Sequence, residues 1–277
     1  GSAVLSSGAM MEALRLSSEL GFLISDHPED PEISAGGIVN EGVAEKLGVK
    51  GIPRIAEEIV VARDLMLAEA TGGRLHIAHV STARSVELIA EFKGRGVSVT
   101  AEVTPHHLTL TEEAVLSLGS NGKMKPPLRG GEDVEALIEG LKEGIIDVIA
   151  TDHAPHAPWE KERGLEEAPF GVVGFETCFP VLYTELVLEG RLALRELIAK
   201  LTLEPAKVLG LDRKGRLAPG MDADLVIIDL EREVVIDPEK LRSKGKNTPF
   251  AGRRVKGIPV GLIIGGEVRF YEGDACA

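Results

Sequence analysis

Apolar and polar positions follow two alternating patterns over the larger, first part of the chain. Four runs rich in Val, Ile and Leu stop at ionisable residues, namely GFLISDHPED (21–30), RLHIAHVST (74–82), VSVTAEVTPHHL (97–108) and IIDVIATDHAPH (145–156). Apolar residues at helical spacing predict helices over 52–73, 82–96 and 130–144. This alternation of buried strands with helices predicts a parallel α/β sheet.

The pattern changes after about Leu211. Short alternating strands separated by glycine turns follow, in GRLAPGMDADLVIIDLEREVVI and GIPVGLIIGGEVRF, with no helical spacing between them. A polar loop over 237–253 is expected to link these strands. We therefore predict strand and helix units over residues 1–210 and a second, all-β module over 211–277.

Composition and charge exclude several classes of protein. With 44% hydrophobic residues and 4% aromatic residues, the core is expected to consist of Val, Ile, Leu and Ala, as in globular α/β proteins. The formal net charge of −13, without a basic cluster, argues against a nucleic-acid partner. The apolar runs are too short to span a bilayer and no leader opens the chain, so we predict a cytoplasmic protein with no membrane partner.

The two cysteines limit the kind of metal site that the chain can form. Cys178 and Cys276 are far apart in sequence and form no CxxC pair. A disulfide framework and a thiolate zinc site are therefore not indicated. Any metal ion must be held by histidine and carboxylate side chains.

The ionisable residues that end the strands are expected to converge, because ligand sites collect at the carboxyl ends of parallel strands. His27 ends the first run, His79 the second and Asp152 the fourth. Asp152 follows an apolar stretch, where a buried carboxylate is costly unless it meets a cation. Two neutral imidazoles and a carboxylate suit zinc or a similar divalent ion.

Three other histidines are open to structural interpretations. His76 lies three residues before His79, so the pleat of a strand predicts that the two point to opposite faces. We assign His79 to the site and His76 to the face that meets the helices. His106 and His107 either line the site or begin the next segment, and as neighbours they are expected to point apart.

Six motifs together resemble the dihydroorotases of the amidohydrolase superfamily. They are LHIAHVST, AEVTPHHLTLT, KMKPPLR, DVIATDHAPH, APFGVVGFET and NTPFAG, and the match runs nearly from end to end. The resemblance implies a metal-dependent (β/α)8 TIM barrel with a small β-sandwich. It also implies reversible hydrolysis of (S)-dihydroorotate to N-carbamoyl-L-aspartate in pyrimidine biosynthesis, with zinc as the cofactor and two ions in each complete active site.

The resemblance also implies roles for the strand-end residues. His27 and His79 correspond to ligands of the more buried metal ion. Asp152 corresponds to a ligand of the other ion and to the residue that transfers the proton.

Further positions bear on the substrate. The resemblance implies that His156 contacts the substrate carboxylate and that the backbone at Pro169 and Gly171 borders the ring. Lys125 stands where the family usually has asparagine, and it would either bind a carboxylate as a point charge or point to solvent. Arg129 would either take part in catalysis or anchor its loop.

The resemblance implies ligands that this chain does not contain. Such enzymes supply further metal ligands from a His-x-His motif on the first strand and from an aspartate or carboxylated lysine on the fourth strand. We therefore expect a missing amino-terminal segment, or a second copy of the chain, to complete the site. The 277-residue chain alone is expected to bind metal weakly and to have little activity.

Two other functions remain compatible with these residues. An allantoinase or hydantoinase would use the same metals and the same aspartate on another cyclic amide or ureide, and Lys125 keeps this alternative open. A non-catalytic dihydroorotase-like scaffold, for instance a partner of aspartate transcarbamoylase, is the third interpretation. The presence of His27, His79 and Asp152 argues against the scaffold.

Overall fold

The computed structural model describes residues 3–4 and 6–272. Its α-helices are α1 (Ser7–Leu20), α2 (Glu41–Leu47), α3 (Ile55–Thr71), α4 (Ala83–Gly94), α5 (Pro105–Thr109), α6 (Val115–Leu118), α7 (Gly131–Lys142), α8 (Pro158–Lys161), α9 (Cys178–Leu182), α10 (Leu194–Leu201) and α11 (Leu203–Val208). Its strands are β1 (Leu23–Asp26), β2 (Val39–Asn40), β3 (Gly51–Ile52), β4 (Arg74–Ile77), β5 (Val99–Val103), β6 (Val148–Ile149), β7 (Leu225–Val235), β8 (Arg254–Ile264) and β9 (Glu267–Tyr271). Within the described ranges, no helix combines the length and the apolar character needed to cross a bilayer.

The four predicted strands form one parallel sheet in the order β1-β4-β5-β6. Each strand lies within one of the apolar runs and ends at or just before the ionisable residues that close that run. The predicted parallel α/β organisation is therefore confirmed. A separate parallel pair, β2 with β3, lies in the connection between β1 and β4.

The predicted helices over 52–73, 82–96 and 130–144 are α3, α4 and α7. Helix α3 ends at Gly72, whose left-handed backbone lets its N–H bond the carbonyl of Ala68. Helix α4 begins after Thr82, whose hydroxyl accepts the N–H of Ser85. Apolar spacing predicted the helices, and these end residues set their bounds.

One face of the parallel sheet packs on α3. The carboxyl of Asp26 in β1 faces that of Asp64 in α3, and Asp26 lies beside Ile77 of β4 in the register of the sheet. Because side chains alternate along a strand, Leu75 and Ile77 share this helix-facing side. Both are fully buried, and His76 between them points to the other face.

The chain divides into two compact units, residues 1–174 with 243–249 and residues 175–242 with 250–277. The expected change of secondary structure is present, since the last described α-helix ends at Val208 and β7, β8 and β9 form an antiparallel sheet. The boundary between the two compact units nevertheless lies between Gly174 and Phe175 rather than near residue 210. The assignment of 1–210 to the barrel and 211–277 to a β module stays a prediction.

Helix α9 belongs to the second unit because it packs on β8. Gly257 of β8 makes this approach possible, since a Cβ there would lie 2.7 Å from Cδ1 of Tyr183. Phe179 of α9 stacks on Tyr183 with ring centroids 5.8 Å apart. Cys178 is buried at the start of the same helix, whereas Cys276 lies outside the described residues.

Candidate metal and catalytic site

His27 and His79 meet at the carboxyl ends of two neighbouring strands. His27 follows β1, and His79 lies two residues beyond the end of β4. Nδ1 of His27 lies 2.7 Å from Nε2 of His79, and the two rings are nearly perpendicular, with centroids 4.7 Å apart. The structure thus brings together two side chains that are 52 residues apart in sequence.

Two of the predicted site residues have an unusual backbone conformation. His79 has φ 35° and Asp152 has φ 46°, and among the described residues they are the only non-glycine residues with positive φ. Such a conformation costs about 1–3 kcal/mol and is concentrated at functional sites. The turn at each strand end therefore directs these two side chains at a conformational cost.

His79 is suited to act as a neutral ligand. Burial, together with the nearby rings of His27 and His107, lowers the pKa of His79 to about 3. Its imidazole is therefore neutral at physiological pH, the form that binds metals. Nδ1 of His79 is buried and has no hydrogen-bond partner in the described part of the chain.

The donor set fits a divalent ion of the zinc type. Nδ1 of His27 and Nε2 of His79 face each other at 2.7 Å, and Asp152 lines the same cavity as these two residues. Imidazole nitrogens and carboxylate oxygens are the ligands that zinc takes in proteins. Across residues 3–4 and 6–272, no group of three or more His, Cys, Asp and Glu side chains is arranged to hold a metal ion. The described residues thus offer two facing imidazoles and one nearby carboxylate.

Glu102 is a site residue that sequence reasoning missed. This β5 side chain accepts a hydrogen bond from Nε2 of His76 at 3.1 Å and, at 3.4 Å, from the backbone N–H of His79. Burial raises the pKa of Asp152, and the negative charge of Glu102 raises it further. The signal was present in β5, where polar Thr100 and Glu102 alternate with buried apolar residues.

The expectation that His76 faces the helices is wrong. Its Nδ1 lies 2.7 Å from Oγ1 of Thr100, and its Nε2 bonds Glu102, both on the face away from α3. The argument from the pleat fails because β4 ends at Ile77 and His79 takes a left-handed backbone, so regular alternation does not extend to His79. Both His76 and His79 therefore contact the same carboxylate.

His27, His79 and Asp152 line a cavity of about 500 Å³, a size that accommodates a small metabolite. Its lining includes His27, Glu29, Lys125, Asp152, Phe170 and Gly171.

Lys125 faces this cavity but is paired with a protein carboxylate. Its Nζ lies 2.7 Å from Oε1 of Glu29, and Oε2 of Glu29 lies 3.1 Å from Nε2 of His27. Burial alone would raise the pKa of Glu29, but hydrogen bonds from His27, Lys125 and Ser34 lower it to about 2. Glu29 therefore remains charged and links Lys125 to the histidine pair.

His156, Pro169 and Gly171 meet in one loop beside the cavity. Nε2 of His156 lies 2.8 Å from the carbonyl oxygen of Phe170, and the His156 N–H bonds Oδ1 of Asn247 at 3.0 Å. The carbonyl of Pro169 accepts a hydrogen bond from Lys161. The His156 ring thus holds the loop, and the predicted contact with a substrate carboxylate stays a prediction.

Gly171 combines positive φ with close contacts. Its φ is 117°, and a Cβ there would lie 2.5 Å from Cβ of Ala154 and 3.3 Å from Nε2 of His156. Gly164 also has positive φ (88°) but has no neighbouring atom within 4 Å of a Cβ, so it provides a matched control. The two positions separate backbone strain from steric overlap.

We expect Gly171→Ala to lower the free energy of unfolding by about 1–3 kcal/mol more than Gly164→Ala does, because only Gly171 adds an overlap to the backbone strain. Urea unfolding of both variants in the full-length protein measures the difference. Equal destabilisation by the two substitutions would show that the loop around Gly171 accommodates the added Cβ without a steric cost.

Comparison with known proteins identifies the family. Residues 6–269 match the model of the amidohydrolase family. The chain belongs to the amidohydrolase family. It is 54% identical over 269 residues to a dihydroorotase of Pelotomaculum thermopropionicum, covering 97% of this chain and 63% of that protein. It is 50% identical over 276 residues to a dihydroorotase of Bacillus caldolyticus, covering 99% and 64% respectively. The chain thus spans a little under two thirds of the length of these relatives.

Solved structures of similar fold are named hydantoinases. The structure of an L-hydantoinase (dihydropyrimidinase) from Arthrobacter aurescens superposes on this chain with a TM-score of 0.89 and 32% sequence identity. The superposed region covers 98% of this chain and 62% of the hydantoinase. The structure of a D-hydantoinase (dihydropyrimidinase) from Thermus sp. superposes with a TM-score of 0.85 and 27% identity, over 96% of this chain and 61% of the hydantoinase. The predicted fold class, strands and helices of a (β/α)8 barrel with a smaller β module, is confirmed.

In this amidohydrolase, Arg129 anchors its loop. The guanidinium is buried and donates to Oγ of Ser81 at 3.1 Å, to Oδ1 of Asn40 at 2.7 Å and to the carbonyl of Ile52 at 3.1 Å. It does not line the cavity. Of the two roles considered for Arg129, these contacts support the structural one.

His106 and His107 lie in α5, which begins after Thr104. His107 is fixed between the hydroxyl of Thr104 at 2.7 Å and the carbonyl of Pro126 at 3.1 Å. His106 is buried, and its Nε2 has no hydrogen-bond partner in the described ranges. Neither ring is among the residues that line the cavity, and both belong to the helix that begins the next segment of the chain.

Asp26 forms a buried carboxyl pair behind the histidines of this amidohydrolase. Burial, together with the neighbouring carboxyl of Asp64, raises the pKa of Asp26 to about 7. Asp64 is itself bound by Nε of Arg63 at 2.7 Å. The folded state therefore holds a proton on this pair more tightly than the unfolded chain does.

We expect the free energy of unfolding to decrease as the pH rises from the unfolded pKa of Asp26, near 3.8, through its folded pKa of about 7. Asp26→Asn removes the titrating carboxyl, and with it this pH dependence, while keeping a hydrogen-bonding side chain of the same size. Near pH 8 the variant should exceed the wild type by on the order of 1–3 kcal/mol. Urea unfolding of both proteins at pH 5 and pH 8 measures the change. The same pH dependence in Asp26→Asn and in the wild type would refute the proposal that the Asp26–Asp64 pair holds a proton in the folded state.

Proposed function

We propose that the protein is a dihydroorotase, catalysing the reversible hydrolysis of (S)-dihydroorotate to N-carbamoyl-L-aspartate. The similarity to dihydroorotases at 50–54% identity, over 97–99% of this chain, carries the proposal. The reverse reaction, which closes the ring, is the direction used in pyrimidine biosynthesis. The cavity shared by His27, His79 and Asp152 is the proposed active site.

Zinc is the proposed cofactor, with two ions in each complete site. Nδ1 of His27 and Nε2 of His79 would hold one ion, and the carboxylate of Asp152 would contribute to the other. When bound, such ions supply electrostatic polarisation of the substrate amide and of the attacking water. Glu29, bonded to the other nitrogen of His27, orients that ring.

Asp152 is the proposed proton-transfer residue. In hydrolysis, the oxygen of water adds to the amide carbonyl carbon, and the carboxylate of Asp152 takes the proton that water releases. The bond between that carbon and the ring nitrogen then breaks, and Asp152 gives the proton to the departing nitrogen. Burial and Glu102 raise the pKa of Asp152, which favours its holding the proton between these two steps.

The remaining wall of the cavity is the proposed substrate surface. Lys125 is a cationic group there, and its pairing with Glu29 leaves two further N–H donors for a substrate carboxylate. His156 and the backbone of Pro169 and Gly171 are proposed to border the substrate, as the family resemblance implies. The absence of a side chain at Gly171 keeps this wall close to the cavity.

A second candidate is a hydantoinase acting on another cyclic amide. The similarity to L-hydantoinase at a TM-score of 0.89 favours it, as does lysine in place of the usual asparagine at position 125. The same residues would serve both reactions, because both open a ring at an amide bond. The two proposals differ in the substituent that the cavity must accept.

Initial rates of the full-length protein on dihydroorotate, hydantoin and allantoin test the proposal. We expect kcat/KM for dihydroorotate to exceed the other two values by at least about 100-fold, since a site built to bind a charged substituent discriminates strongly against its absence. A preference for hydantoin or allantoin would replace the proposal with the second candidate. No turnover of any of the three would support a scaffold.

We also propose three partners for the protein. They are a small-molecule substrate, an amino-terminal segment or second copy that completes the site, and an association with aspartate transcarbamoylase.

A further inference from the structure

The segment 165–171, called the pinned loop below, is held almost entirely through its carbonyl groups. Nζ of Lys123 donates to the carbonyls of Leu165 and Glu166, each at 2.8 Å. Nζ of Lys161 donates to the carbonyl of Pro169 at 2.9 Å and to that of Gly171 at 3.0 Å. The carbonyl of Phe170 bonds His156 as described above. Side chains outside the loop thus hold five of its carbonyls.

Both lysines are buried cations whose ammonium groups donate hydrogen bonds to backbone carbonyls rather than to carboxylates. Lys123 is 2% exposed and Lys161 is 7% exposed, and in the described ranges neither ammonium forms an ion pair with Asp or Glu. Burial, and then the neighbouring charge of Lys123, lowers the pKa of Lys161 to about 8. Burying an ammonium is costly, so a hydrophobic side chain would be the expected choice here unless the carbonyl contacts were needed.

The pinned loop forms a wall of the proposed active site. Phe170 and Gly171 line the cavity, and the carbonyls that Lys161 binds flank Phe170 on both sides. The Phe170 ring lies 4.6 Å from Nζ of Lys123 and 4.9 Å from Nζ of Lys125. The N–H of Gly171 donates to the carbonyl of Lys123 at 2.9 Å, which ties the loop to the segment KMKPPLR (123–129). Movement of this loop would change the shape of the substrate surface.

We propose that Lys161 is a positioning residue that fixes Phe170 and Gly171 at the distance needed to bind the substrate. The inference rests on the proposed function for the identity of that substrate. An ammonium on a flexible stem can reach two carbonyls that are two residues apart, and no apolar side chain of similar length can do so. Lys161 does not touch the cavity, so it acts through the loop rather than on the substrate.

Steady-state kinetics of Lys161→Met in the full-length protein test the effect on substrate binding. We expect KM for dihydroorotate to rise about tenfold while kcat changes by less than about threefold, because the loop shapes the binding surface and Asp152 is unaffected. Lys207→Met removes a surface lysine of α11, paired with Glu204, and serves as the control with unchanged KM and kcat. A variant that loses kcat with unchanged KM would overturn the inference.

Hydrogen exchange of the substrate-free protein tests the effect on the loop itself. The amides of Ala168 and Gly171 are bonded to the carbonyls of Gly164 and Lys123, and we expect both to exchange faster in Lys161→Met. Exchange elsewhere and in Lys207→Met should match the wild type. If Lys161→Met does not fold, Lys161→Gln is measured instead, with the same expectation because its amide reaches one carbonyl at most.

The two readouts separate this inference from the proposed function. Unchanged exchange in the loop together with unchanged KM would overturn the role of Lys161, whatever the wild type hydrolyses. Faster loop exchange in a protein whose wild type does not act on dihydroorotate would support the positioning role and refute the dihydroorotase proposal.

Discussion

Replacing Asp152 by asparagine is expected to lower kcat for dihydroorotate by about 10²–10⁴-fold, the usual range for a positioned proton-transfer group. An amide cannot take the proton from water or return it to the ring nitrogen. It also removes a negative charge from the proposed metal site. Initial rates of the full-length variant under saturating substrate measure the loss.

Asparagine is the matched substitution because it tolerates the left-handed backbone that Asp152 requires. The variant should therefore unfold in urea at a midpoint close to that of the wild type, which shows that the loss is chemical. Asp212→Asn, an exposed substitution in the second unit, should leave kcat unchanged. An Asp152→Asn enzyme that keeps kcat within about threefold of the wild type would exclude the proposed proton transfer.

Glu57→Ala is expected to lower the free energy of unfolding by about 3–5 kcal/mol, as the loss of one partner of a buried charge pair does. Glu57 is 2% exposed and accepts hydrogen bonds from the backbone of Ser81 at 3.0 Å and from the hydroxyl of Ser85 at 2.8 Å. Its carboxylate also lies 3.8 Å from the buried guanidinium of Arg129. The alanine variant would leave these donors and this charge without a partner.

Urea unfolding measures the effect, with Glu87→Ala as the control. Glu87 lies on α4 and pairs with exposed Arg84, so its loss should change the unfolding midpoint little. Similar midpoints for the two variants would show that the Glu57 network contributes no more than a surface pair.

The strands and helices around the parallel sheet could be predicted because their patterns are local. Helices α3, α4 and α7 follow from apolar spacing, and β1, β4, β5 and β6 follow from apolar runs that stop at ionisable residues. The packing of α9 on β8 could not be predicted in this way. It depends on the close approach of Tyr183 to Gly257, two residues that are distant in sequence.

The site was predictable in part for the same reason. His27, His79 and Asp152 stand at strand ends, so parallel pairing alone indicated their convergence. The orientation of His76 was missed because the left-handed turn at His79 interrupts the alternation of the strand. The pairing of Lys125 with Glu29 joins positions 96 residues apart, and no periodic pattern reports such a contact.

We propose that His27 and His79 hold a metal ion on which hydrolysis depends. Zinc titration of the chelator-treated, full-length protein, with dihydroorotate hydrolysis as the readout, tests it most directly. We predict that the metal-free wild type is inactive and recovers with about two zinc ions per chain, as a two-metal site requires. His79→Ala should bind at least one ion fewer and recover little activity. Full activity in the metal-free wild type, or zinc stoichiometry unchanged in His79→Ala, would contradict the account.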